Sequence, residues 1–164
     1  VEPLTRAEIV YVFGGGHVSA ELVPLLAHVG FSVAVYEDRA EFGNAERFPD
    51  AVRIIRAPFE EAGTRISITP DDAIVIMTRG HQGDFVVLEQ MLRTQAGYIG
   101  VIGSRHKIAA TNRRLIEAGI PETALGRIHT PIGLDIGAET PAEIAISIAA
   151  ELIAHRAQSL KEAL

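Results

Sequence analysis

Residues 12 to 19, Val-Phe-Gly-Gly-Gly-His-Val-Ser, join an apolar strand to a helical pattern through a turn that favours glycine. A turn of this kind can grip phosphate. Gly14 supplies the tight bend, Gly16 lets a pyrophosphate approach the backbone, and Ser19 stands where a third small residue lets helix pack on strand. The spacing reads G-x-G-x-x-S rather than G-x-G-x-x-G, and by itself it also suits a strand-to-helix turn with no ligand. Within the turn, His17 is a candidate donor to a phosphate or to a metal-bound oxygen, and Val18 opens the helix behind it.

A carboxylate follows at the distance that dinucleotide-binding units use, about 20 residues beyond the first glycine. Leu22, Leu25, Leu26 and Val29 recur at helical spacing, Gly30 closes the helix, and the apolar run from Phe31 to Tyr36 ends in Glu37 and Asp38. The unit is β-α-β. Glu37 at the end of the second strand is placed to accept hydrogen bonds from ribose hydroxyls and to repel a 2′-phosphate, with Arg39 partly offsetting that repulsion. A solvated turn is the alternative for the Glu37-Asp38 pair.

The elements that must hold these groups alternate along the chain. Val52 to Ile55 is a short β-branched run, Pro58 to Pro70 reads as irregular and polar, and Ala73 to Thr78 reads as a strand buried on both faces. Thr78 then leads into a loop, Arg79-Gly80-His81-Gln82-Gly83, with Asp84 as the expected N-cap of the next helix and His81 as a further candidate donor. Tyr98 to Ile102 forms another strand. Gly103 and Ser104 open a helix that runs to about Ala118 and stops at Gly119, with Arg105 and Lys107 in its first turn. Cations are disfavoured at a helix N-terminus, which makes a ligand role for these two more attractive than plain solvation.

Near the end, Thr130-Pro131-Ile132-Gly133-Leu134-Asp135-Ile136-Gly137-Ala138 precedes a helix announced by a capping box, Thr140-Pro141-Ala142-Glu143. Gly133 and Gly137 surround a Leu-Asp-Ile that looks buried. Such a loop would bring backbone N–H groups and Asp135 to the carboxyl edge of the sheet, and a glycine-shaped link with Asp135 on local donors fits the pattern equally well. The alternation predicts one α/β domain over residues 1–164, a doubly wound, mostly parallel, Rossmann-like sheet in three α/β/α layers.

Composition narrows the classes. Hydrophobic residues at 48% against 22% charged are an ordinary globular balance, and no apolar run is long enough to span a bilayer. A net charge of −6 argues against a broad nucleic-acid surface. The absence of cysteine removes thiol catalysis, disulfides and thiolate-bound metal from these residues, and no histidine or carboxylate spacing suggests direct metal ligation. No catalytic residue is expected. A chain that opens on Val1 with no signal peptide reads as a processed product or as part of a longer protein.

Several stretches together resemble the Rossmann domain of the XdhC/CoxI family, the xanthine dehydrogenase accessory proteins. They are Gly14 to Val18, Glu37-Asp38-Arg39, Arg47-Phe48-Pro49, Tyr98 to Lys107, and Pro131 to Gly137, continued by Pro141, Glu143, Ile144, Ala145 and Ser147. The resemblance implies a cytoplasmic maturation factor that binds the molybdenum cofactor, as molybdopterin or its dinucleotide form. It implies delivery to a molybdenum hydroxylase apoenzyme of the xanthine dehydrogenase type, with a cysteine desulfurase as a further partner. Two departures stand out. The family commonly shows Thr-His-Asp-His and then, after two intervening residues, Asp, and here Arg79 and Gly80 replace the middle pair while Thr78, His81 and Asp84 keep their places. Other members also carry a preceding, cysteine-bearing domain that these residues do not include.

Three classes therefore compete: a cofactor chaperone, an NAD(P)-dependent oxidoreductase, and a nucleotide-sensing regulatory module. The glycine turn and Glu37 alone favour the second, but proton-transfer and substrate apparatus have little room in this length. A homodimer through apolar helical surfaces is also expected, with no interface located.

Overall fold

The computed structural model describes residues 8–164. Its strands are β1 (Ile9–Phe13), β2 (Ser32–Glu37), β3 (Arg53–Arg56), β4 (Ala73–Ile76), β5 (Tyr98–Val101) and β6 (Ile128–His129). They form one sheet in the order β3-β2-β1-β4-β5-β6, and every neighbouring pair is parallel. The helices are α1 (His17–His28), α2 (Ala62–Arg65), α3 (His81–Met91), α4 (Arg105–Glu117) and α5 (Pro141–Glu162). Among the described residues, no helix is long and apolar enough to cross a membrane.

Strand alternation divides the interior into two cores, one on each side of the sheet. Val10 and Val12 of β1 pack with Leu22 and Leu26 of α1 and with Ile148 and Leu152 of α5. Tyr11 and Phe13 pack on the opposite face with Val87, Leu88 and Met91 of α3 and Leu115 of α4. The result is the expected three-layer, doubly wound arrangement.

Local signals explain most element ends. Gly30, at φ 96°, terminates α1: its N–H donates to the Ala27 carbonyl and that of Phe31 to Leu26, the paired bonds that close a helix. At α5, the Thr140 hydroxyl accepts from the Glu143 N–H, while the Glu143 carboxylate accepts from the Thr140 N–H at 3.0 Å.

Two expectations change, and one short strand is added to them. The stretch after Pro58, expected to be irregular, contains a 3₁₀ turn at Phe59–Glu61 and then α2, because Phe59 buries its ring against Tyr36 with centroids 5.8 Å apart. Asp84 does not cap α3. That helix starts earlier behind an extended Gly80, and the Asp84 carboxylate instead accepts from Thr78, at 3.0 Å from its N–H and 2.6 Å from its hydroxyl. Finally, β6 has only two residues, too short to leave a period in the sequence.

The glycine turn is the tightest point of the frame. Gly14 has φ 109°, and a Cβ there would lie 2.1 Å from the Met77 carbonyl oxygen. Replacing Gly14 by Ala is therefore expected to cost about 3 kcal/mol or more, from the left-handed backbone and the clash together. Denaturant unfolding checks this, and a loss below 1 kcal/mol, roughly the ordinary Gly-to-Ala scale, would overturn the account.

Candidate functional site

The strand order reverses between β1 and β4, and the chain leaves both strands on the same edge of the sheet. Doubly wound proteins hold ligands at that point. Here the glycine turn leaves β1 and Met77-Thr78 leaves β4, joined by the Met77 N–H donating to the Phe13 carbonyl at 2.8 Å.

Behind the turn, three contacts hold it. The Gly14 N–H donates to the Tyr36 carbonyl at 2.9 Å, and the Ser19 hydroxyl donates to the Gly14 carbonyl at 2.6 Å. Ser19 thus fills the third small position with a hydrogen bond as well as a small volume. Arg47 donates from Nη1 to the carbonyls of Gly15 and Phe42. The Arg-Phe-Pro segment therefore clamps the turn from outside, with the guanidinium 5.1 Å from the Phe48 ring.

Glu37 is the main correction among the predicted ligand residues. It is only 1% exposed. Its Oε1 accepts from the Gly15 N–H at 3.0 Å and from Arg39 Nη2 at 3.2 Å, and its Oε2 accepts from the N–H groups of Asp38 at 2.7 Å and Arg39 at 3.1 Å. A carboxylate offers about four acceptor positions, and four donors occupy them. Glu37 therefore ties the second strand to the glycine turn, and no lone pair is left for a ribose hydroxyl.

The front of the turn is different. A Cβ added to Gly16 would meet nothing within 4 Å, and its φ of −82° suits any residue. Space, not backbone strain, distinguishes this glycine. Gly16, His17, Glu37, Arg39, Thr78 and Arg79 are among the residues lining a crevice of about 280 Å³, and a second hollow of about 420 Å³ continues past Arg79 towards Asp38, Glu60 and Gln82. The helices that open onto these hollows, α1 and α3, are capped by Gly16 and Gly80 with no side-chain hydrogen bond. By contrast, Ser104 and Thr140 cap α4 and α5. Free N–H groups and the positive ends of two helix dipoles thus face the crevice.

Arg79 stands between the two hollows. Its guanidinium donates to both oxygens of Asp38, at 2.6 and 3.2 Å, and its Nη1 lies 3.7 Å from Glu37. Residue type at 79 and 38 alone cannot reveal this pair, because it depends on β2 and β4 ending on either side of β1. The signal is the substitution of arginine in the loop after Thr78.

The other predicted residues do not converge on the turn. Gly103 and Lys107 line a small, mainly apolar slot with Leu88, Val101 and Ile108. That slot touches the glycine crevice only through Ile102 and through Asp84, the partner of Thr78. Ser104 caps its own helix through the Lys107 N–H. The side chains of His81 and Arg105 lie outside what the structure describes. Gly133 has φ 101°, and a Cβ there would meet Ser147 Oγ at 2.4 Å. Its glycine is explained by seating the loop on α5, where the Leu134 N–H donates to the Ser147 carbonyl. Asp135 is exposed, as are Leu134 and Ile136, which the sequence suggested were buried. No group of His, Asp and Glu suited to holding a metal ion occurs among the described residues.

The Arg79 hydrogen bonds hold Asp38 at a pKa of about 2. With the folded pKa below the unfolded value, the pair's contribution to stability is complete above the unfolded value and is lost as pH falls through about 2. Because Arg79 is half exposed, that contribution is small. Arg79→Ala is expected to raise the Asp38 pKa towards the ordinary carboxylate range in an NMR titration of its side-chain carboxyl carbon. An unchanged titration would mean that the pair does not form.

Comparison with known proteins places this geometry in a family. The model of the XdhC Rossmann domain matches residues 10–152. The chain is 35% identical over 149 residues to the uncharacterized protein YqeB of Escherichia coli K12, covering 90% of this chain and 27% of that protein. It is 33% identical over 156 residues to a probable xanthine dehydrogenase subunit of Bacillus subtilis, covering 95% of this chain and 44% of that one. A crystal structure described as a xanthine dehydrogenase from Bacillus halodurans superposes with a TM-score of 0.82 at 34% identity, over 94% of this chain and 44% of that chain. The chain thus spans less than half of each of these relatives. It belongs to the XdhC Rossmann-domain family.

Proposed function

We propose that this domain binds the phosphate or pyrophosphate end of the molybdenum cofactor in the glycine crevice and serves as an accessory factor for a xanthine dehydrogenase-type molybdenum hydroxylase. The observation that carries the reading is Gly16. It combines open space, an uncapped helix N-terminus and a neighbouring arginine at the sheet's switch point. Family membership and the xanthine dehydrogenase names of two relatives supply the biological setting.

The residues suit the group. Backbone N–H groups of the first turn of α1 would hold a phosphate, Arg79 would add charge if it turned from Asp38, and His17 lies on the same wall, whereas the Thr78 hydroxyl is already committed to Asp84. The cofactor would supply the metal chemistry, in keeping with a delivery role for this domain. The saturated Glu37 carboxylate weighs against the NAD(P)-dependent oxidoreductase reading, which needs a free acceptor for ribose. A nucleotide-sensing module meets the same difficulty, as does the ribose of the cofactor's dinucleotide form, so the phosphate of molybdopterin itself fits the crevice best.

Mass spectrometry of the small molecules retained on the purified protein is the direct test. A pterin is the expected result, and a nicotinamide nucleotide without pterin would overturn the proposal. Gly16→Val is expected to abolish retention of the pterin while shifting stability by about 1 kcal/mol at most, the scale of a helix-cap change. Equal retention by wild type and variant would remove the crevice from consideration.

A further inference from the structure

Helix α5 carries two apolar stripes, and the domain uses only one. Ala145, Ile148, Ala149 and Leu152 are buried against the sheet and α1. Round the helix, Ile146, Ala150, Ile153, Ala157 and Leu160 follow one another in alternating steps of four and three residues. That repeat builds a helix-to-helix seam. Here it faces outwards: Ile146 is 51% exposed, Ile153 38% and Leu160 59%.

The order of side chains along the stripe says what would cover it. From Ile146 to Leu160 it reads large, small, large, small, large, and it reads the same in reverse about Ile153. We propose that α5 packs antiparallel against α5 of a second copy of this chain, about a two-fold axis at Ile153. Ile153 then meets its own counterpart, Ile146 meets Leu160 of the second copy, and Ala150 lies within one residue, about 1.5 Å along the axis, of the level of Ala157 of the second copy. This reciprocal matching is what a two-fold interface requires. The small alanines between the large residues let the helices approach closely.

Charge selects the same direction. Glu143 lies in the first turn of α5 and Lys161 in the last, on the same side of the stripe. Antiparallel pairing sets Glu143 beside Lys161 of the second copy at both ends, and it also opposes the two helix dipoles favourably. Parallel pairing would keep the two charges at opposite ends of the seam and align the dipoles.

The chain contains no cysteine, so an introduced thiol is unambiguous. In the antiparallel register, I153C alone is expected to form a disulfide-linked dimer under mild oxidation. I146C alone and L160C alone are not, because their own counterparts lie about 20 Å apart along the axis, beyond disulfide reach. A mixture of I146C and L160C is expected to cross-link. Sedimentation equilibrium should show a dimer for the wild type, and a monomer for I153E with an unchanged far-UV circular dichroism spectrum. A monomeric wild type, cross-links at all three single positions, or none at I153C would each overturn the proposal.

Discussion

Between Gly14 and the carbonyl of Met77 there is no room for a side chain, and the site is arranged around that contact. It lets β1 and β4 release their chains side by side, so the first helix begins directly over the sheet's switch point. A larger residue would push the turn away from β4 and break the register that places Thr78 beside the helix N-terminus. Glu37 holds the same turn from the other side. Its carboxylate gathers the Gly15 N–H, two N–H groups of its own strand end and the Arg39 guanidinium, and so converts a flexible glycine run into a fixed wall. A buried charge needs that many donors to be stable.

What remains open is the front of the turn, where two helix N-termini and Arg79 meet the carboxylates of Glu37 and Asp38. Gly16 and Gly80 give two helix starts with no side-chain cap, while the helices elsewhere with strong N-terminal signals use Ser104 and Thr140 to satisfy themselves. Arg79 adds a half-exposed cation whose present partner, Asp38, is itself held ionised. The crevice thus has helix N-termini at its floor and the Arg79–Asp38 ion pair at its side.

Helix α5 meets several structural demands at once. Its capping box sets its start, Ser147 seats the loop carrying Gly133, one face closes a core, and a different face is left apolar and regular. The glycine at position 133 therefore follows from packing on Ser147, which explains its presence without reference to a ligand.

Much of the fold was legible in the amino-acid order because its signals are local. Glycine after β1, Gly30 after α1, the Thr140 box and the apolar runs of β1, β2, β4 and β5 each act through neighbours a few residues away. The three-layer architecture and the position of the glycine turn follow from those alone. Partnerships between distant strands did not follow. Whether Glu37 faces a ligand or the Gly15 N–H, whether Asp84 caps α3 or holds Thr78, and whether Asp38 meets Arg79 depend on which strand ends lie side by side. Likewise the sequence offered Gly103 to Lys107 and Gly133 to Asp135 as further ligand candidates beside the glycine turn. Only tertiary packing separated them, because a side chain's hydrogen bonds and burial are set by the elements folded against it rather than by its own spacing along the chain.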